Sequence, residues 1–104
     1  MSQDTTDLEV VHNEKEERFE AELKGHTGVL DYRLEDGNMI FASTRVPVPI
    51  RNRGVATKIT EEAMEYARKN EYEVIPSCAF TKAFLQRSSH AEYRSLLPDD
   101  YDLD

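Results

Sequence analysis

Cysteine is nearly absent: Cys78 is the single thiol in a chain of 104 residues. One thiol excludes an internal disulfide framework and any multi-cysteine metal site. Lysine is scarce as well, with five in all, and 13 basic residues face 21 acidic ones, for a formal charge of −8. So little positive charge leaves no broad field for nucleic acid, whose affinity is largely phosphate neutralisation. Anionic membrane surfaces are disfavoured for the same reason. No apolar run approaches the length of a membrane span, and residues 1–6 are too polar and acidic for a secretory signal. The three histidines, His12, His26 and His90, have no carboxylate or thiol at ligand spacing, so no metal is expected. These absences point to a cytoplasmic monomer or weak dimer that uses neither nucleic acid nor membrane as a partner.

A chain this short is expected to be one domain over residues 1–104, with its core in about 8–97. Residues 1–7 read as a frayed, disordered start, and the last six residues, with four aspartates, as an acidic tail. Residues 8–12 suit a first strand and the polar residues 13–17 a turn. Residues 18–24 alternate, with Phe19, Ala21 and Leu23 on one face, as a half-buried strand does. Gly25 and Gly28 punctuate the next connection. Residues 29–34 read as a third strand, closed by the turn signal Glu35-Asp36-Gly37-Asn38, and residues 39–46 as a fourth.

The period changes after Pro47 and Pro49, which cannot donate to a sheet ladder and so should end or splay the pairing there. Val55, Ile59, Ala63 and Ala67 recur every fourth residue, and Lys58/Glu62 and Glu65/Lys69 are opposite charges at i,i+4. A helix from Val55 to about Asn70 follows, then a fifth strand over 72–75 stopped by Pro76, a shorter helix over 79–87, and a last turn or two over 90–97. A helix between the fourth and fifth strands makes those two strands parallel. The expected class is α/β (α+β): a mixed, mostly antiparallel sheet with two main helices, one on each face or both on one.

Arg51-Asn52-Arg53-Gly54-Val55-Ala56-Thr57 lies between a strand and a helix. The first helical turn leaves backbone N–H groups unpaired, and the helix dipole adds partial positive charge there. Those donors suit a phosphate that can approach the backbone. Gly54 has no Cβ to block it and Ala56 nearly none, Arg51 and Arg53 add charge, and the Thr57 hydroxyl is one more donor. The same residues also suit a purely structural turn, an arginine-rich loop with a glycine easing a tight bend. Neither a Gly-x-x-x-x-Gly-Lys-Ser/Thr loop nor a Gly-x-Gly-x-x-Gly run is present.

Four segments, Thr44-Arg45-Val46-Pro47, Arg51-Asn52-Arg53-Gly54-Val55-Ala56, Ile75-Pro76-Ser77-Cys78 and His90-Ala91-Glu92-Tyr93, resemble the short GNAT-like N-acetyltransferases. The resemblance runs from about Val10 to Leu97. It implies a V-shaped splay between the fourth and fifth strands, with the pantetheine arm of acetyl-CoA lying between them. It further implies that the backbone of Val46 and Val48 faces pantetheine and the acetyl carbonyl. Arg51, Arg53, Gly54, Val55, Ala56 and Thr57 match the pyrophosphate loop. Many relatives read His-Thr-Glu-Val where this chain has Ser43-Thr44-Arg45-Val46, and often a tyrosine where it has Phe84. Compared with full-length relatives, the helices between the first two strands are missing, so an open acceptor cleft is expected.

Cys78, just before the second helix, is the catalytic candidate, since a thiol at a helix N-terminus is more acidic and can act as a nucleophile. A small buried apolar side chain is the alternative for a free cysteine. Glu20, Glu22 and Glu35 are available as a general base, with no spacing to single one out. The expected function is acetyl transfer from acetyl-CoA to an unidentified amine, helped by backbone donors to the developing oxyanion. The alternative is a coenzyme A-binding sensor or interaction module without turnover. A small regulatory domain with a purely structural glycine turn comes third.

Overall fold

The computed structural model describes residues 8–103. The frayed start and Asp104 of the acidic tail lie outside them. Five strands form one sheet in chain order: β1 (Val10–Asn13), β2 (Arg18–Leu23), β3 (His26–Glu35), β4 (Asn38–Arg45) and β5 (Glu73–Pro76). The first four pair antiparallel, and β4 pairs parallel with β5. This is a mixed α/β sheet of the GNAT-like kind.

Two tight turns make the meander. Lys24 and Gly25, then Asp36 and Gly37, are two-residue loops in which both residues have positive φ, between 50° and 82°. That backbone twist matches the twist of the flanking strands, and it sets the registers that pair Leu23 with His26 and Glu35 with Asn38. β3 starts at His26, three residues earlier than the alternation suggested. Gly28 is therefore not part of the turn; it lies within the strand, opposite Ala21.

One face of this sheet makes the core. Phe19 and Ala21 from β2, Leu30 and Tyr32 from β3, Met39 and Phe41 from β4 and Val74 from β5 are all buried. Helix α1 (Val55–Lys69) covers them with Val55, Ile59, Ala63, Met64 and Ala67. Its first half carries Val55, Thr57, Ile59 and Thr60, whose β-branched side chains lower helix propensity. Burial offsets that, at roughly 1.5–3 kcal/mol for each large apolar side chain removed from water. Arg68 and Lys69 in the last turn complement the dipole, and the Asn70 side chain donates to the Tyr66 carbonyl at 2.8 Å.

Helix α2 (Ala79–Gln86) packs against β4, β5 and a run of 3-10 turns (Ser88–Leu96), and that run packs in turn against α1. Phe84 is fully buried and stacked on His90, with ring centroids 3.9 Å apart. The Tyr93 hydroxyl donates to Glu65 of α1 at 2.7 Å, and Arg68 lies over the Tyr93 ring. The opposite face of β2, β3 and β4 carries Arg18, Glu20, Val29, Asp31, Ser43 and Arg45, none of them buried. That face is left to water.

Candidate functional site

The cleft comes from unequal strand lengths. β5 pairs with β4 only from Asn38↔Glu73 to Phe41↔Pro76, and the Ser77 N–H makes the last link to the Phe41 carbonyl at 3.1 Å. The parting comes well before Pro47, where the sequence suggested it. Two causes act together. The chain leaves β5 after Pro76 and reaches the N-cap of α2 at Cys78, while β4 has a register shift opposite Asp31 and Tyr32. Pro76 is the last strand residue and not a stop beyond the strand. Residues 43–45 keep β3 as their partner and, beyond the shift at Ala42, leave an unpaired edge on the β5 side.

A cavity of about 1000 Å³ opens beside that edge. Pro47 caps a 3-10 turn (Val48–Ile50) whose Ile50 is fully buried and anchors the loop. The Arg51 Nε donates to the Val46 carbonyl at 2.8 Å, tying the loop back to the end of β4. Asn52 at φ 62° and Gly54 at φ 79° then bend the chain into α1. Gly54 is the N-cap, without a side-chain cap, and its carbonyl accepts from the Lys58 N–H at 3.0 Å. The N–H groups of the first turn precede that bond and face the loop mouth without an intrahelical partner.

Of the residues the sequence singled out, Val46, Arg51, Gly54, Val55, Ala56 and Thr57 line this cavity. Val48 stands apart from the lining with 70% of its surface exposed, and Arg53 is exposed and also off the wall. The structure adds Thr27 and Val29 from β3, Thr44 and Arg45 from β4, Asn52, and Phe80 and Arg87 from the α2 region. Strand register would have pointed to Thr44 and Val29; nothing local marks Arg87. None of Glu20, Glu22 and Glu35 lines the cavity, and Glu20 and Glu35 pair with Arg18 and Arg33.

A family model described as GCN5-related N-acetyl-transferase matches residues 18–96. The chain belongs to that family. The match runs from Arg18, the first residue of β2, to Leu96, the last of the 3-10 run. It therefore takes in the splayed strands, the glycine turn and both helices. GCN5-related proteins are N-acetyltransferases, and acetyl-CoA is their general acetyl donor. No helix among the described residues of this GCN5-related chain is long and apolar enough to cross a membrane.

Cys78 is not on the cavity wall but sits directly behind it. Its Sγ lies 3.5 Å from Oγ1 of Thr44, which lines the cavity. Burial pushes the thiol pKa up, but hydrogen bonding from Thr44 and from the N–H groups of Thr81 and Phe80 outweighs it, leaving the thiol below its ordinary value. The Thr81 hydroxyl, fully buried, also favours the thiolate. Phe84 has no hydroxyl and is consumed by packing.

Proposed function

We propose that this single domain, residues 1–104, binds acetyl-CoA in the cleft between β4 and β5 and transfers its acetyl group to an amine. One observation carries the reading: the uncapped first turn of α1 opens into a cavity beside the free edge of β4. Backbone donors at Val55, Ala56 and Thr57, the charge of Arg51 and the Thr57 hydroxyl suit the pyrophosphate. Arg53, exposed beside them, adds screened charge. A volume of about 1000 Å³ is at the upper end of ordinary ligand cavities and suits a long, flexible cofactor. The β4 edge near Val46 and Val48 offers backbone groups to the pantetheine amides and to the acetyl carbonyl.

Transfer makes a C–N bond between the amine and the acetyl carbon and breaks the C–S bond, and the thiol of coenzyme A leaves with a proton. Backbone N–H groups aimed at the developing oxyanion lower the barrier. Cys78 is the catalytic candidate for a two-step route, in which its thiolate displaces the thiolate of coenzyme A to form an acetyl-cysteine thioester and the amine then takes the acetyl group and returns the cysteine thiolate. A reading without turnover, a coenzyme A sensor, draws support from the hydroxyl-free Phe84. The protein is assigned to the cytoplasm. Calorimetric titration with acetyl-CoA tests binding, and thiol release with an amine panel tests turnover. Absence of a binding isotherm at millimolar acetyl-CoA would sink the proposal, and binding without thiol release would favour the sensor.

A further inference from the structure

The charged residues lining the cavity are Arg45, Arg51 and Arg87, and no carboxylate among the described residues joins them. In a chain of formal charge −8 this is a local reversal of sign. Arg51 belongs to the turn before α1. Arg45 lies on a different wall. Register places Val29 opposite Arg45 and Asp31 opposite Ser43, while a Cβ on Gly28, the residue before Val29, would meet Val55 and Ile59 of α1. Alternation along β3 then puts Asp31, Ser43 and Arg45 on the sheet face that looks away from α1.

On that face Arg45 is held from one side only. Its Nη1 is paired with Oδ2 of Asp31 and lies 3.1 Å from Oγ of Ser43. The Ser43 hydroxyl donates to the same carboxylate at 3.0 Å, and Arg18 Nε stands 3.6 Å from the other oxygen of Asp31. Asp31 is thus satisfied within the sheet and has little left to offer a ligand cation. Nε and Nη2 of Arg45 have no partner among the described residues, and its side chain is 57% exposed. Those two nitrogens form one edge of the guanidinium fork, the geometry that grips a carboxylate with two parallel hydrogen bonds.

We propose that Arg45 selects the acceptor, and that the acceptor is an amine carrying a carboxylate, of amino-acid or short-peptide type. Asp31 and Ser43 are positioning residues that fix the guanidinium so that its free edge is presented. A polycationic acceptor finds no carboxylate among the residues that line the cavity. The inference rests on the acetyl-transfer reading above, which gives the α1 side of the cleft to acetyl-CoA and leaves the bare sheet face for the acceptor.

The test uses matched probes: glycine, diglycine and triglycine, each against its C-terminal amide. Two readouts are taken: KM in acetyl-CoA-dependent thiol release, and affinity for the coenzyme A-saturated protein by NMR titration, which needs no turnover. For at least one pair the acid is expected to be favoured at least tenfold over the amide. R45Q should bring that ratio to within twofold of unity without changing acetyl-CoA affinity, and R45K should recover part of it. D31N should lower the ratio by releasing the guanidinium, again with acetyl-CoA affinity intact. Equal handling of acid and amide across the series, or a preference that survives R45Q, overturns the inference while the acetyl-CoA reading stands. A wild-type protein that fails to bind acetyl-CoA overturns both.

Discussion

Gly28 of β3 runs so close beneath Val55 of α1 that a Cβ built on the glycine would lie 3.0 Å from the valine Cγ1. The same Cβ would come within 3.4 Å of Ile59 and 3.5 Å of Val46. Strand and helix are thus packed closely at the point where α1 begins. Val55 follows the N-cap glycine directly, so this contact sets the height of the first turn of α1 above the sheet. Packing in the core and geometry in the cleft meet at one residue.

Gly28→Ala should therefore affect both stability and binding. Overpacking of this kind costs about 1–3 kcal/mol. Denaturant unfolding should show a loss in that range, and calorimetry a weaker acetyl-CoA interaction caused by displacement of the first turn of α1. A variant with parental stability and affinity would show that the helix moves aside freely and that the contact does not position the turn.

The second prediction concerns Gly54. Its φ of 79° is a left-handed conformation that a β-branched residue adopts only under strain. Gly54→Val would therefore damage the fold along with any phosphate site, and Gly54→Asn is the sharper probe because asparagine tolerates this region. Gly54→Asn should keep the parental circular dichroism spectrum and lose more than tenfold in acetyl-CoA affinity, about 1.4 kcal/mol. Arg53→Ala should lose less, and more at low salt than at high, because its charge is exposed and screened. Unchanged affinity in Gly54→Asn would reduce the glycine to a conformational role.

Cys78 gives a third. Hydrogen bonds to its sulfur lower the thiol pKa, so alkylation by iodoacetamide should reach half its maximal rate at a lower pH than a free thiol does. Thr44→Val removes one of those partners and should move the midpoint up. Bound acetyl-CoA should slow the labelling, since Thr44 stands between Cys78 and the cavity. Equal rates with and without acetyl-CoA would place the thiol out of reach of the acetyl group.

A fourth concerns acid stability and lies far from the cleft. His12 is stacked on Phe19 with centroids 4.0 Å apart, and its Nε2 lies 2.5 Å from the Tyr32 hydroxyl. Burial lowers the pKa of His12 and raises that of Tyr32 to about 12. Below the ordinary histidine value of about 6.5 the unfolded chain binds the proton more readily than the folded one. The stability His12 contributes is thus fully present above that value and falls as pH drops from it towards the lowered folded value. Thermal unfolding should show a decline from pH 7 to pH 5 that is shallower in His12→Phe. An equal slope in both proteins would assign the acid sensitivity to other groups.

Features legible in the sequence were those with a local cause. The every-fourth-residue stripe of Val55, Ile59, Ala63 and Ala67 marked α1 from its first residue, and Asn70, expected near its end, is the C-cap after Lys69. Alternation around Phe19 and Ala21 marked β2, and Asp36-Gly37 marked a hairpin. The glycine turn into α1 was visible because residues 51–57 are contiguous. Each of these signals spans a few residues, the range over which a backbone conformation and its side-chain period are set.

Tertiary structure decided the rest. Where β4 and β5 part depends on how far β5 runs and on a register shift between β3 and β4, and neither strand carries that information alone. Gly28 looked like a turn residue because a glycine needed for close approach is written the same way as one needed for positive φ. Thr44 meets Cys78 across 34 positions, and Arg45 meets Asp31 across 14. Those meetings follow from strand pairing, in which a slip of one residue would send Asp31, Ser43 and Arg45 to the opposite face of the sheet. Only the folded register, held by the hairpin turns and by the burial of Leu30, Tyr32 and Phe41, places the arginine and its carboxylate side by side at the cleft.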